Sequence, residues 1–367
     1  MSQLQVNRIN DASGGVLAPI SSVMRNRIIN GAMVIDQRNA GASVTATNNT
    51  YCLDRWNMNS SVGGSYYTVQ QNAGSVTPPV GFTNYLGVTS VNTISVSGTD
   101  SFTINQRIEG FNLADLGWGT ANAKTITLSA WVRSSLTGTF GGAISNAALD
   151  RSYPFSYSIP VANTWTQISV TIAGDTTGTW SATNTTGMFV WFGLGVGSTF
   201  SGTAGAWAGA GYRSATGATS VVGTNGATFY ITGVQLEVGT QATSFEYRQY
   251  GTELALCQRY FEKSYNQGTA LGTNTFLGAY TFGGSSEGNG NSIVPISYSV
   301  KRVAPTLTGY LSAGTSGSWN YERSGTSGTG TITFDQTSDR ESRAYIAVGA
   351  NWVVTFVYGH WTASAEL

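Results

Sequence analysis

One histidine, His360, and two cysteines, Cys52 and Cys257, are the only imidazole and thiols this 367-residue chain has for catalysis or zinc ligation. A Ser-His-Asp or Cys-His site would have to use His360, which stands beside Trp361 in a run that reads as a strand. Neither cysteine lies in a nucleophile motif. His360 therefore reads as a packing or surface residue, and the two thiols as separate buried groups. No Cys or His spacing suits zinc. No glycine motif follows a strand and opens a helix to cradle phosphate. Calcium sites built on backbone carbonyls leave little trace in sequence, and none is predicted. A glycosidase needs only two carboxylates. Asp54, Glu109, Asp115, Glu237, Glu246 and Asp335 are available, and the simpler reading pairs them with Arg55, Arg107, Arg133 or Arg248. The expectation is a chain without catalytic residues, cofactor or metal.

Recognition is better provided for than catalysis. The chain has 18 tyrosines and 10 tryptophans. A flat aromatic face can stack on a pyranose ring while flanking amides and carboxylates take its hydroxyls. Strand alternation sets Trp131 and Trp191 opposite the aliphatic residues of their strands, with Arg133, Gln167, Gln235 and Glu237 on the corresponding sides. These six are the candidate ligand-binding residues. The same pattern suits a face packed on another subunit, since Trp and Arg are favoured interface anchors, and Trp131 could also belong to the core. Trp180, Trp207 and Tyr212 lie in Gly-rich stretches that read as loops and are further candidates.

The elements that must carry these residues are strands. Thr125 to Arg133, Trp165 to Ile172, Met188 to Leu194 and Thr228 to Val238 alternate aliphatic with polar or aromatic residues, and Arg27 to Gln37 reads as a further strand. Forty-seven glycines against seven prolines suit many tight turns and oppose a helical fold. Apolar residues at 41% allow a real core, while charged residues at 10% leave solvation to Ser, Thr, Asn and Gly. A formal charge of zero gives no basic excess for nucleic acid. No apolar run approaches a membrane span, and the first residues show no basic-then-apolar leader. The expected fold is all-β. Residues 1–25 form a short attachment segment, 26–250 a sandwich, 251–263 a linking helix with Leu254, Cys257, Gln258 and Phe261 at helical spacing, and 264–367 a smaller C-terminal β-domain. Strands are expected there around 293–300, 306–311, 331–334, 343–348 and 352–358.

Several stretches resemble bacteriophage tail-fibre and receptor-binding proteins. Gln3 to Gly15 (QLQVNRINDASGG) is similar to the N-terminal adaptor of such fibres. Asn30-Gly31-Ala32-Met33, Asp36-Gln37-Arg38 and Leu53-Asp54-Arg55-Trp56 resemble the opening of their carbohydrate-binding-module-like jelly-roll domain. Gln106 to Gly110, Leu128 to Arg133, Val234 to Gly239, Phe245 to Arg248 and Leu254 to Tyr260 continue the likeness, and Ala365-Glu366-Leu367 is a familiar ending. The resemblance covers about the first 260 residues and is weak beyond. It implies a virion protein assembled in a host cytoplasm, a jelly-roll, a homotrimer, and partners among other tail proteins and host surface polysaccharide. A capsid-decorating or baseplate protein and a glycan depolymerase are the alternatives. Asp54, Arg55 and Trp56 are expected to be structural, as a buried ion pair roofed by the indole. Trp352, Phe356, Tyr358 and Trp361 are expected to supply the tightest subunit contacts.

Overall fold

In the strand Ile126–Ser134, every second side chain is aliphatic: Ile126, Leu128, Ala130 and Val132 are at most 1% exposed. The period of two turns them all to one face. Met188, Val190, Phe192 and Leu194 repeat the device in Thr186–Val196 and are fully buried. The computed structural model describes residues 8–10, 16–19, 24–283, 286–287, 291–323, 326–348 and 354–367. The expected attachment segment 1–25 therefore falls largely outside the described residues. Within it, Arg8–Asn10 pairs antiparallel with Val16–Pro19.

Among the described residues the chain forms two compact units. The first takes in the described part of Met1–Val34, then Ser43–Cys52 and Trp56–Arg248. The second takes Ile35–Ala42, Leu53–Arg55 and Gln249–Leu367.

The first unit is a jelly-roll-like sandwich of two six-stranded sheets. One sheet runs, in bonded order, Ser152–Ile159, Gly138–Asn146, Thr186–Val196, Ser101–Glu109, Trp56–Ser60 and Thr50–Tyr51. The other runs Thr166–Ile172, Ile126–Ser134, Thr228–Val238, Leu86–Ser90, Tyr67–Gln71 and Val44–Thr45. Their inner faces meet where the Phe140 and Phe229 rings lie 6.0 Å apart. The Tyr67 hydroxyl, rising from the second sheet, donates to the carbonyls of Asn59 and Thr103 in the first, both at 2.9 Å. Trp56 is fully buried here, its indole N–H donating to the Asn30 carbonyl at 3.0 Å. The Cys52 thiol is buried and donates to the Val69 carbonyl.

Arg27 to Gln37 is not a strand, although its composition predicts one. Asn30 and Met33 take left-handed backbone angles, φ 58° and 59°, which no strand tolerates. The segment is held instead by isolated bonds: Arg27 N–H to the Leu236 carbonyl, and the Gln106 amide to both N–H and C=O of Ile29.

The second unit is built around the eleven-residue strand Val354–Ser364. Phe261–Lys263 and Thr306–Tyr310 pair with its C-terminal half, Tyr280–Gly283 and Ser318–Arg323 with its N-terminal half. Its core holds Val294, Ile296, Trp319, Ile346, Val357 and Trp361. Trp361, expected at a subunit contact, is thus only 5% exposed within its own fold. Trp352 lies outside the described residues. His360 is a packing residue: its ring stacks on Tyr265 at 3.6 Å, and Nε2 lies 2.9 Å from the Thr275 carbonyl. The helix is shorter than the expected 251–263. It covers Tyr250–Gln258 and gives way to the strand Phe261–Lys263, because pairing with Thr362 to Ser364 takes those backbone groups. Cys257 is a free buried thiol on this helix.

Asp54 and Arg55 also belong to the second unit, and they do not pair with each other. Asp54 is 1% exposed and accepts from the Gln37 backbone N–H at 2.7 Å and side-chain amide at 2.6 Å, with Arg38 at 3.7 Å. Arg55 pairs with Glu366 and lies 3.6 Å over the Tyr260 ring, so Tyr260, not Trp56, is the roof. Burial pushes the Asp54 carboxyl up to about 6, against the opposing pull of Arg38 and Gln37. Its folded pKa then lies above the unfolded value of about 3.9. The folded state binds more protons between those two values, so this group's stability contribution is complete below about pH 4 and falls as pH rises through about 6. Urea unfolding at pH 5 and pH 7 should show a smaller difference in Asp54→Asn than in the parent chain. Equal differences would overturn the assignment.

Candidate functional site

A groove of about 210 Å3 opens on the outer face of the second sheet of the sandwich. Its floor comes from strand alternation. Trp131 and Ser129 point away from the core in Ile126–Ser134, and Gln167 sits directly across from Trp131 in the neighbouring strand. Both Trp131 and Gln167 are open to solvent, Trp131 partly.

The walls come from irregular segments. Val80 and Phe82 enter from the loop before Leu86–Ser90, and Thr243, Ser244, Phe245 and Tyr247 from the segment after Thr228–Val238. The Phe82, Phe245 and Tyr247 rings pack on one another at centroid distances of 5.0 to 5.6 Å. A register shift between Thr232 and Gln235 places Gly233 beneath them at φ +62°. A Cβ at Gly233 would meet the Phe82 ring at 2.6 Å, so only glycine lets that ring lie on the backbone.

Gln235 and Glu237 do not face the groove. They are at most 1% exposed and hold its outer wall from behind. The Glu237 carboxylate accepts from the Thr243 N–H at 2.8 Å and the Thr243 hydroxyl at 2.7 Å. Gln235 donates to Glu237 at 2.8 Å and accepts from the Glu246 N–H at 2.8 Å. Glu246 in turn accepts from the Asn26 N–H at 2.8 Å and pairs with Arg248 at 3.1 Å. Arg25 closes the ring, donating to the Ser244 carbonyl at 2.7 Å. These bonds fix the backbone from which Phe245 and Tyr247 project.

Arg133 lies further along the same face. It donates to the Asn163 carbonyl at 2.9 Å and stands 5.4 Å from the Tyr230 ring. Trp191 is not on this sheet at all. It is 3% exposed on the outer face of the other sheet, stacked on Phe189 at 4.8 Å, with its N–H donated to Ser145 at 2.8 Å and Arg213 5.3 Å from its ring. Of the six predicted residues, the structure brings Trp131 and Gln167 together in the groove, sets Gln235 and Glu237 behind it, and leaves Arg133 and Trp191 apart.

The loop aromatics find each other. Trp180 and Trp207 pack with Trp118, edge to face, at 4.7 to 5.7 Å. The Trp180 N–H donates to Asp175 at 3.0 Å and the Trp207 N–H to the Ala173 carbonyl at 2.9 Å. Tyr212 lies close over Gly202. This cluster is knitted internally and offers a cavity of only about 50 Å3 beside it.

Glu237 and Glu246 lie together behind the wall, sharing Arg25 and Gln235, and the other candidate carboxylates lie elsewhere. Asp115 pairs with Arg27 at 2.7 Å and Asp335 with Arg343 at 2.8 Å, and Glu109 is buried. Of the arginine partners expected, Arg248 takes Glu246. Among the described residues no group of three His, Cys, Asp or Glu side chains could hold a metal. No helix among them is long and apolar enough to cross a membrane.

No protein-family model matches the chain, and no curated protein sequence does. Solved structures do share a likeness. The enzymatically active domain of tailspike protein 4 from bacteriophage CBA120 is 12% identical, over 59% of this chain and 22% of its own, at a TM-score of 0.31. A candidate sugar-binding protein from Bacteroides thetaiotaomicron is 10% identical over 58% of this chain and 100% of its own, at 0.35. The family 11 carbohydrate-binding module of Clostridium thermocellum, in complex with a β-1,3-1,4-mixed-linked tetrasaccharide, is 11% identical over 54% and 97%, at 0.27.

Proposed function

We propose that this chain is a non-catalytic carbohydrate-binding virion protein that holds a sugar in the Trp131 groove. The observation that carries the reading is the composition of that groove: an indole on a rigid strand, three packed rings at its wall, and neutral hydrogen-bonding groups at Ser129, Gln167, Thr243 and Ser244. Concave sites with apolar walls and a few placed polar groups are the usual form of small-ligand sites. A sugar ring presents just such a mixture of C–H faces and hydroxyls. The strand origin of the floor keeps it preorganised, which limits the entropy lost on binding. Titration calorimetry of the full chain against a panel of oligosaccharides should show saturable binding to at least one. Absence of binding across the panel at millimolar sugar would sink the reading.

The placement on a phage tail rests on the sequence resemblance at Gln3 to Gly15 and at the sandwich motifs. In that reading residues 1–25 attach the chain to the particle, 26–250 carry the sugar site, and 264–367 complete the fibre subunit. A fibre subunit of this kind is trimeric. Exposed apolar residues at Phe276, 66% exposed, and Leu277, 70% exposed, support association in the C-terminal unit. Light scattering should return about three times the 38.6 kDa subunit mass. A stable monomer at micromolar concentration would remove the trimer from the proposal while leaving the sugar site intact.

A further inference from the structure

The groove's walls differ from its floor in shape, and that difference bears on which sugar it takes. The Phe82 and Phe245 rings stand at 69° to one another, and Phe245 and Tyr247 at 74°. Edge-to-face rings make a cup, not a platform. A flat pyranose face suits the broad indole of Trp131, whereas a cup suits a compact apolar substituent. Val80, fully exposed, and Tyr247, 59% exposed, extend the apolar rim into solvent. The groove's volume of about 210 Å3 is below the range of about 300–1,000 Å3 typical of drug-sized ligands, and fits one sugar ring.

Charge narrows the class further. Among the residues lining the groove none is ionisable near neutral pH. Glu237, Glu246, Arg25 and Arg248 are bonded to one another or to backbone behind the wall, and Arg133, two residues from Trp131 on the same face, is not a lining residue: it donates to the Asn163 carbonyl and stands over Tyr230. A ligand carboxylate would find no cation among the lining residues, and leaving a charge partly desolvated and unpaired is costly.

We propose that the groove selects an uncharged 6-deoxyhexose, bound as a single residue with its ring face on Trp131 and its C6 methyl in the cup of Phe82, Phe245 and Tyr247. The inference rests on reading the groove as a sugar site. The C6 hydroxymethyl of an ordinary hexose would bring a hydroxyl against the Phe82 and Phe245 rings, which offer it no bond; the cup's one hydroxyl, that of Tyr247, lies out against Gly81. A uronic acid would bring a carboxylate. An apolar cup distinguishes such groups by about tenfold or more.

The test is calorimetric titration of the full chain with matched methyl glycosides: galactose, 6-deoxygalactose and galacturonic acid, then mannose, 6-deoxymannose and mannuronic acid. The expected result is at least about tenfold tighter binding of the deoxy sugar in one of the two series, with the uronic acid weakest, and affinities that change little between low and high salt. In Tyr247→Ala the deoxy preference should shrink toward unity while the parent hexose still binds. Equal affinity for hexose and deoxyhexose, or tighter binding of the uronic acid, overturns the selectivity and leaves the sugar site standing. If none of the six binds while an oligosaccharide of the wider panel does, the selectivity fails and the sugar site stands; if neither set binds, both fail. An unchanged preference in Tyr247→Ala would show that the methyl is read elsewhere.

Discussion

Trp131→Ala should weaken sugar binding by about thirtyfold or more, the loss expected when a central aromatic anchor worth about 2 kcal/mol is truncated. The reason is position. Trp131 rises from the middle of a nine-residue strand whose alternate side chains are buried at 1% exposure or less, so its backbone cannot drift. Its indole is only partly covered, and the groove it floors has no other flat ring on a strand. Removing it should cost the fold little, because the indole is not part of the core. Melting temperature should therefore stay close to that of the parent chain while affinity collapses. Trp191→Ala provides the contrast. That indole is 3% exposed and bonded to Ser145, so its loss should lower the melting temperature and leave sugar affinity unchanged. If both variants lost affinity equally, or if Trp131→Ala retained it, the groove would not be the site.

Arg55→Ala should destabilise the second unit by about 3–5 kcal/mol, as expected when one member of a buried ion pair is removed. Arg55 is 1% exposed and its partner Glu366 is 8% exposed. Glu366 also takes Arg38 at 2.9 Å, and Arg302 donates to the backbone carbonyls of Ala365 and Glu366 at 2.6 and 2.7 Å. Three arginines thus hold the last residues against the body of that unit. With Arg55 gone, the Glu366 carboxylate keeps only part of its compensation in a dry setting, and the Tyr260 ring loses the cation above it. Thermal unfolding should move down by roughly 10 °C or more for a unit of this size. Glu366→Ala should act similarly, and the double variant should be less damaging than the sum of the two, since each single change strands a charge that the other removes. Additive losses would mean that the pair does not couple. A shift of under 1 kcal/mol in either single variant would mean that the network is solvated.

Strand content and the two faces of each strand were legible in the sequence. The alternation in 125–133, 165–172, 188–194 and 228–238 predicts strands that the structure places within two residues or fewer at each end, and it sorts Trp131 and Gln167 to the outer side. Side-chain direction in a strand is a local property, fixed by the pleat, so a local pattern can reveal it. The aromatic wall had a weaker signal of the same kind. Phe245 and Tyr247 alternate with Glu246 and Arg248, which sends the rings one way and the charges the other.

Other features depended on residues far apart in the chain. Alternation tells which side of a strand Trp191 occupies but not which sheet the strand joins; pairing with Ser101–Glu109, some eighty positions earlier, decided that. It likewise set Gln235 and Glu237 opposite the core without disclosing that Thr243 to Glu246 would fold over them and use their polar groups. Arg27 to Gln37 has strand composition, yet its backbone is bound by Gln106 and Leu236 into a conformation that no local preference favours. The partner of Arg55 stands 311 residues away. Sequence determined which residues would be strands and which side chains would turn outward, because the pleat is short-range physics. Which outward side chains stay open to a ligand, and which become struts for a loop, was decided only when distant segments closed over one sheet and left a groove above Trp131.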